Sequence, residues 1–108
     1  MAIAGSTRHA VERARAAVGH MLKIELEVDT LQQLEEALAL GVDVVLLDNM
    51  SPDTLLQAVA MVYGRAITEA SGRITPDTAP IVAATGVDLI AIGWLTHSAR
   101  VLDIGLDS

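Results

Sequence analysis

The chain has 108 residues, which is the size of one domain or of part of one. Its 14 acidic residues outnumber its 7 basic residues and give a formal net charge of −7, whereas nucleic acids and anionic membranes are bound by clustered cations. Cysteine is absent, which excludes disulfides, thiolate metal sites and thiol nucleophiles. No apolar run has transmembrane length and no signal-peptide core is present, so we expect a cytoplasmic protein that binds neither nucleic acid nor membrane.

Four short strand-like runs recur along the chain, and their starts are spaced as in consecutive βα units. Hydrophobic residues make up 52% of the chain but aromatic residues only 2%, so the core must consist of aliphatic side chains and alanine, as in parallel strands covered by helices. The predicted strands are Lys23–Val28, Asp43–Leu47, Ala66–Glu69 and Asp88–Ile92.

Helix signals separate these runs. Thr30 and Gln33 fit a capping box, and two further helices are predicted to begin with a cap residue followed by proline. Those two starts are Ser51–Pro52 and Thr75–Pro76, the ends are placed at Gly41, Gly64 and Gly86, and an earlier helix is predicted at Ser6–Val18 with a short helical tail at the other end. The residues predicted to pack inward are Leu31, Leu34, Leu38, Leu55, Val59, Val62, Ile81 and Val82.

This alternation predicts right-handed βαβ units on a parallel sheet. A (β/α) barrel fits the period but needs about 250 residues, so the expected fold class is α/β, with a partial barrel of about four parallel βα units. No GxGxxG motif follows the first strand, so a dinucleotide site has no specific support. Four strands alone would leave open edges and uncovered apolar surface, which predicts either a barrel fragment or a chain that completes its barrel with other subunits.

Two acidic residues stand out in the first strand. Glu25 and Glu27 lie two apart and therefore face one side of the strand, whereas Ile24 and Leu26 face the other. Unpaired carboxylates are costly to bury, so they need a cation, a metal or water. A salt bridge or exposure at a sheet edge would meet this need as well as a metal, and these interpretations stay open.

The second strand ends in polar residues, at the carboxyl end where parallel α/β sheets bind ligands. Asp48 and Asn49 follow an entirely apolar run. They fit an ordinary turn before Ser51, since both residue types favour turns. They equally fit a hard oxygen site in which Asp48 binds Mg²⁺ beside Glu27, because Mg²⁺ is usually held by one or two carboxylates plus substrate phosphates.

The third and fourth strands are followed by small residues. Ser71 and Gly72 follow one, and Gly93 follows the other. Such turns allow backbone N–H groups to approach an anion, and two of them after late strands match the phosphate site of barrel enzymes. His97, a few residues after Gly93, fits a base or a phosphate contact, although a structural role is the commoner one for such a histidine.

Taken together, six segments resemble the quinolinate phosphoribosyltransferase family, the carboxylating nicotinate-nucleotide pyrophosphorylases. The resemblance covers nearly the whole chain, in order, and corresponds to the C-terminal portion of the family's barrel domain. The segments are Lys23–Thr30, Leu46–Met50, Glu69–Gly72, Thr85–Asp88, Leu95–Ser98 and Leu102–Asp107.

The resemblance implies an activity and a site. The family forms nicotinate mononucleotide, pyrophosphate and CO₂ from quinolinate and phosphoribosyl pyrophosphate in NAD biosynthesis, with Mg²⁺ and as a dimer or larger assembly. The implied substrate contacts are Glu27, Asp48, Ser71, Gly72, Gly93 and His97. Of these, the two carboxylates would bind Mg²⁺ and the ribose-pyrophosphate part of the substrate, the small residues would form phosphate-binding loops, and the histidine would lie near the phosphate.

Two residues depart from the family pattern. Arg73 follows Gly72 where the family carries a second glycine, and Trp94 follows Gly93 where the family has a small residue. The arginine side chain either adds a cation to the phosphate site or blocks it. The tryptophan is expected to change the shape of the pocket.

Family enzymes also have an N-terminal α/β domain and earlier barrel strands, whose lysines and arginines hold both substrates. We therefore expect residues 1–108 to be the C-terminal part of such a barrel and to be inactive alone, because an acidic half-site repels polyanionic substrates. Two alternatives stay open. One is a non-catalytic half-barrel that self-associates through its edges, and the other is a related phosphoribosyltransferase that acts on a different aromatic acid.

Overall fold

A computed structural model describes residues 9–13 and 23–103 of the chain. Strands and helices alternate along the chain up to a final hairpin and a short helix. The elements are α1 (helical residues 9–13), β1 (Glu25–Val28), α2 (Leu31–Ala39), β2 (Val44–Asp48), α3 (Pro52–Val62), β3 (Ile67–Ser71), α4 (Ala79–Ala83), β4 (Leu89–Ile92), β5 (Leu95–Ser98) and α5 (Ala99–Asp103). The remainder of the helix predicted at Ser6–Val18 lies outside the described residues.

The five strands form one sheet in the order β1-β2-β3-β4-β5. Strands β1 to β4 run parallel, and β5 runs antiparallel to β4. A parallel sheet whose spatial order follows the chain order, with a helix after each of its first three strands, is consistent with an arc of a (β/α) barrel. The α/β class is therefore confirmed. The predicted count of about four βα units is not confirmed, because β4 leads into a hairpin instead of a helix.

The hairpin arises from the turn at Gly93 and Trp94. These two residues separate Ile92 from its register partner Leu95, and Gly93 has a φ of 59°. A glycine with positive φ at the first position of a two-residue loop matches the type II′ turn, whose twist suits antiparallel strands. The segment after Gly93, which was expected to be a loop, consequently forms β5.

The sheet has one covered face and one open face. The covered face packs against the helices and includes a fully buried register row, formed by Val28, Leu47, Ala70 and Ile90. The neighbouring row points to the other side and is only partly buried or exposed; it consists of Glu27, Leu46, Glu69 and Leu89. We call this second side the open face. In a closed barrel it is the side that faces inward.

Of the helix starts predicted after residue 23, two of three are confirmed by cap hydrogen bonds. The backbone N–H of Gln33 donates to Thr30 Oγ1 at 3.1 Å, and the Gln33 side-chain oxygen accepts from the Asp29 N–H at 2.8 Å. The Thr54 N–H donates to Ser51 Oγ at 3.2 Å. These contacts satisfy N–H groups that have no partner within the helix.

The third predicted start is wrong by one turn. Thr75 begins a turn in which its carbonyl accepts from the N–H groups of Thr78 and Ala79, at 3.1 and 2.8 Å, so α4 begins only at Ala79. This shift turns Ala79, Val82 and Ala83 toward the core, because they share one helical face. The prediction that Ile81 packs inward is therefore also wrong, since its side chain is 57% exposed.

Two segments of the same sequence, Gly41-Val42-Asp43 and Gly86-Val87-Asp88, enter β2 and β4 in the same way. The carboxylate of Asp43 accepts a hydrogen bond from the Ile24 N–H at 2.8 Å, and that of Asp88 accepts from the Thr68 N–H at 2.9 Å. In each case the aspartate ties the start of its own strand to the strand before it. Because pairing between β2 and β3 continues to Ser71, β3 runs from Ile67 to Ser71 and not over the predicted Ala66–Glu69.

Among the described residues, no helix is both long enough and apolar enough to span a membrane.

Candidate functional site

The carboxyl ends of β2 and β3 lie side by side and bring two predicted site residues together. Asp48 and Ser71 are register partners at the last positions of these strands. The Ser71 hydroxyl donates to Asp48 Oδ1 at 3.3 Å, and the Asn49 N–H donates to the Ser71 carbonyl at 3.0 Å. The polar residues after the two strands therefore form one connected group.

Gly72 completes this group, because a side chain at its position would be strained and would displace the side chains of Asp48 and Asn49. Its φ is +87°, a left-handed backbone conformation that side chains disfavour. A Cβ atom at Gly72 would also lie 2.7 Å from Asp48 Oδ1 and 2.5 Å from Asn49 Oδ1. The glycine thus allows the β3–α4 turn to lie directly against the Asp48 carboxylate.

Glu27 shares the open face and the same end of the sheet. It pairs in register with Leu46, two residues before Asp48, so the two carboxylates are diagonal neighbours on adjacent strands. Strand spacing and rise place their Cα atoms on the order of 8 Å apart. Glu27 is exposed on the edge strand β1, and Asp48 is partly buried. This exposure fits a residue at a sheet edge and also leaves the Glu27 carboxylate accessible to a metal ion.

Of the other two predicted residues, Gly93 lies at the same end of the sheet as this group and His97 does not share its face. Gly93 lies in the β4–β5 turn at the same end of the sheet, with open space where a Cβ would stand. His97 lies in β5 opposite Ile90, which belongs to the covered face. Directly paired residues point to the same side of a sheet, so His97 is on the side away from Asp48 and Ser71.

Glu69 was missed as a candidate residue. It lies on the open face between Leu46 and Leu89, two residues before Ser71. Burial raises the pKa of the Glu69 carboxyl, and the nearby charge of Glu25 raises it further. The signal was present in the alternation of Glu69 and Ser71, but the strand was predicted to end at Glu69.

The described residues contain no group of three or more histidine, aspartate or glutamate side chains arranged to hold a metal ion. Glu27 and Asp48 offer only two carboxylates, which is fewer than such a group. Their oxygen ligands suit Mg²⁺ only when substrate phosphates and water complete the coordination, which is the usual way in which Mg²⁺ is bound.

A cleft of about 550 Å³ opens beside this group. It lies between the β2–α3 and β3–α4 loops, and its walls include Asn49, Ser51, Gly72, Arg73 and Val82. A concave site of this volume at the carboxyl end of a parallel sheet is a common place for a small ligand.

Comparison with known proteins bears on this site. Residues 1–107 match the family model described as quinolinate phosphoribosyl transferase, C-terminal domain. The chain belongs to this family. It is 45% identical over 107 residues to a probable carboxylating nicotinate-nucleotide pyrophosphorylase of Bacillus subtilis, covering 99% of this chain and 37% of the relative. It is 39% identical over 106 residues to the nicotinate-nucleotide pyrophosphorylase of Rattus norvegicus, covering 95% of this chain and 36% of the relative.

Solved structures agree with the family assignment. The chain is similar to a nicotinate-nucleotide pyrophosphorylase from Ehrlichia chaffeensis, with a TM-score of 0.74, 39% identity, and coverage of 82% of this chain and 32% of that one. It is also similar to a mandelate oxidase at 20% identity, with a TM-score of 0.66, which shows a shared fold alone. The chain thus spans between a third and two fifths of the length of the curated family relatives.

Proposed function

We propose that residues 1–108 supply the C-terminal part of the barrel of a carboxylating nicotinate-nucleotide pyrophosphorylase. That cytoplasmic transferase forms nicotinate mononucleotide, CO₂ and pyrophosphate from quinolinate and phosphoribosyl pyrophosphate in NAD biosynthesis. Family membership supports the reaction class. The observation that carries the proposal is the contact of Ser71 and Gly72 with Asp48, because it places a small-residue turn against a carboxylate at the ligand-binding end of the sheet.

Glu27 and Asp48 are proposed to bind Mg²⁺ together with the pyrophosphate group of the substrate. Both are oxygen ligands on the same face and at the same end of the sheet. When bound there, Mg²⁺ would offset the repulsion between these carboxylates and the substrate phosphates. Asp48 also keeps its orientation through the hydrogen bond from Ser71, so the protein fixes one ligand in place.

The turns after β3 and β4 are proposed to bind the substrate phosphates. Gly93 has a positive φ and open space where a Cβ would stand, so an anion can approach its backbone there, and Gly72, also at positive φ, brings its turn to the same end of the sheet. Ser71 adds a hydroxyl next to Gly72. For His97 we propose no direct phosphate contact, because its register position puts it on the covered side of the sheet. Its proposed place is only near the phosphate region.

We propose that the chain by itself does not catalyse the reaction. The open face carries Glu25, Glu27 and Glu69, and the formal net charge is −7, so two polyanionic substrates meet a repulsive surface. The catalytic groups are not assigned among the described residues. In the family, basic residues in earlier parts of the barrel would provide them.

The test is calorimetric titration of the chain with phosphoribosyl pyrophosphate in the presence of Mg²⁺. We expect measurable binding that Asp48→Asn weakens about tenfold or more, since it removes one charged ligand. Glu35→Gln removes the same charge from an exposed position of α2 and is the matched control. Equal binding by the Asp48→Asn variant and the unmodified chain would contradict the proposed role of Asp48. Formation of nicotinate mononucleotide by the chain alone would contradict its proposed inactivity.

Self-association is a second proposed property, and exposed apolar side chains near the sheet favour it. Trp94 is fully exposed, Leu95 in the edge strand β5 is 65% exposed, and Ile67 on the open face is 47% exposed. Covering such surface in a homo-oligomer would remove it from water. Light scattering should therefore show a discrete oligomer, and the fluorescence of Trp94, the single tryptophan, should shift to the blue with concentration. A monomer with concentration-independent fluorescence would exclude it.

A further inference from the structure

The backbone of Arg73 is held in a conformation that arginine rarely adopts. Its φ is 59°, and it directly follows Gly72 with a φ of 87°. Left-handed backbone at a residue with a side chain costs on the order of 1–2 kcal/mol and persists only where the surroundings impose it. Here the close approach of Gly72 to Asp48 and Asn49 fixes the position of the preceding residue.

The β3–α4 turn forms part of the wall of the cleft. Gly72 and Arg73 both line it, together with the neutral walls formed by the β2–α3 loop and α4. Among the described residues that line the cleft, Arg73 alone carries a charge. A cation beside a backbone turn without side chains is the arrangement that binds a phosphate group by charge-assisted hydrogen bonds.

The guanidinium of Arg73 is also uncommitted within the described part of the chain, where it has no hydrogen bond or ion pair. Arg65 provides the contrast. Its Nε and one terminal nitrogen donate to the carbonyls of Val62 and Met61, at 3.2 and 2.8 Å, and so bind the end of α3. An exposed arginine with five donors and no partner is available to a ligand.

We propose that Arg73 is a phosphate-binding residue, whose guanidinium binds the same substrate phosphate that the Ser71–Gly72 turn approaches. This inference rests on the proposed function and adds a side-chain cation to a site otherwise built from backbone and hydroxyl groups. No bond is made or broken in this step, so the role is one of affinity.

The test uses the 108-residue chain, ribose 5-phosphate as the probe, and calorimetry without Mg²⁺, so that the carboxylate pair does not contribute through a metal. We expect Arg73→Gln and Arg73→Gly to weaken binding about tenfold or more, and Arg73→Lys to retain part of the affinity. Arg100→Gln removes an equal charge from an exposed position beside the start of β4 and should change the affinity less than twofold.

Thermal unfolding separates this role from a structural one. Glycine adopts a φ of 59° freely, so Arg73→Gly should raise the melting temperature while it weakens binding. Unchanged affinity in Arg73→Gly and Arg73→Gln would overturn the inference. If Ser71→Ala then loses binding, the proposed phosphate site still stands. If the unmodified chain does not bind ribose 5-phosphate at all, both proposals fail.

Discussion

Ser71 Oγ donates a hydrogen bond to Asp48 Oδ1 across the carboxyl ends of two adjacent parallel strands. The two residues are 23 positions apart in the chain. They meet because β2 and β3 pair in register up to their last residues. The contact orients the carboxylate that we propose as a Mg²⁺ ligand, and it brings the turn at Gly72 to the same place.

Substitution of Gly72 should damage the site more than the fold. Gly72→Ala places a Cβ within 3 Å of the side chains of Asp48 and Asn49 and also introduces a left-handed alanine. We expect the free energy of unfolding to fall by about 2–4 kcal/mol. Binding of phosphoribosyl pyrophosphate with Mg²⁺ should be lost, because the carboxylate must move. Urea denaturation and calorimetry measure the two effects.

Gly64→Ala is the matched control for that substitution. Gly64 has a similar φ of +77°, but nothing lies within 4 Å of the position of its Cβ. Gly64→Ala should lower the free energy of unfolding by only about 1–2 kcal/mol, which is the cost of a left-handed alanine, and should leave binding intact. Equal losses in the two variants would show that the contact with Asp48 has no role.

Removal of Mg²⁺ should act through Glu27 and Asp48 alone. With EDTA present, the unmodified chain should bind phosphoribosyl pyrophosphate about tenfold or more weakly, since the carboxylates then repel the pyrophosphate. In the double variant Glu27→Gln with Asp48→Asn, EDTA should have little effect, because the metal ligands are gone. An undiminished EDTA effect in the double variant, measured by calorimetry, would place the metal elsewhere.

Glu69 should make stability depend on pH. Its pKa is raised by burial and then by Glu25, so the folded state binds its proton more tightly than the unfolded state does. The associated stability is fully present below the ordinary carboxyl pKa and is lost as pH rises through the raised pKa. Glu69→Gln should therefore have a higher melting temperature than the unmodified chain at pH 7, and the difference should shrink below about pH 4.

Two further variants test whether Glu69 causes this pH dependence of stability. Glu25→Gln removes the neighbouring charge and should also raise the melting temperature at pH 7. Glu35→Gln, on the exposed side of α2, should not. A melting-temperature difference between Glu69→Gln and the unmodified chain that is the same at pH 4 and pH 7 would contradict the assignment.

Asp88 should be needed for stability although it lies far from the proposed site. Its carboxylate accepts from the Thr68 N–H at 2.9 Å and from Thr68 Oγ1 at 3.2 Å. Asp88→Ala leaves these donors without that acceptor and should lower the free energy of unfolding by about 1.5–3 kcal/mol in urea denaturation. Asp77→Ala, at an exposed turn position, is the control and should change it by less than about 0.5 kcal/mol.

The contributions of Asp88 and Thr68 to the free energy of unfolding should also be coupled. In a double-mutant cycle with Thr68→Val, the effects of the two substitutions should not add, because they remove one shared contact. Simple additivity within about 0.3 kcal/mol would show that the hydrogen bond from the threonine hydroxyl contributes nothing.

Local chemistry made several elements predictable. The capping residues Thr30 and Ser51 act on N–H groups three residues away, so their effect does not depend on the rest of the fold. The α/β class was predictable because strand-like and helical segments alternate along the chain, and each segment is recognised from residues close together in the sequence. The start of α4 was less predictable, because the backbone and side chains of Thr75 and Thr78 bond to each other and form a separate turn before the helix.

The sequence by itself determined the family, the approximate positions of the strands and the polar residues at their carboxyl ends, because these depend on residue types at short spacing. Only the tertiary structure decided which of those residues meet. Register pairing brought Asp48 to Ser71, and the hairpin at Gly93 turned His97 toward the covered side of the sheet. Such outcomes depend on contacts between distant segments, and a shift of one residue in a strand reverses the face of every side chain in it.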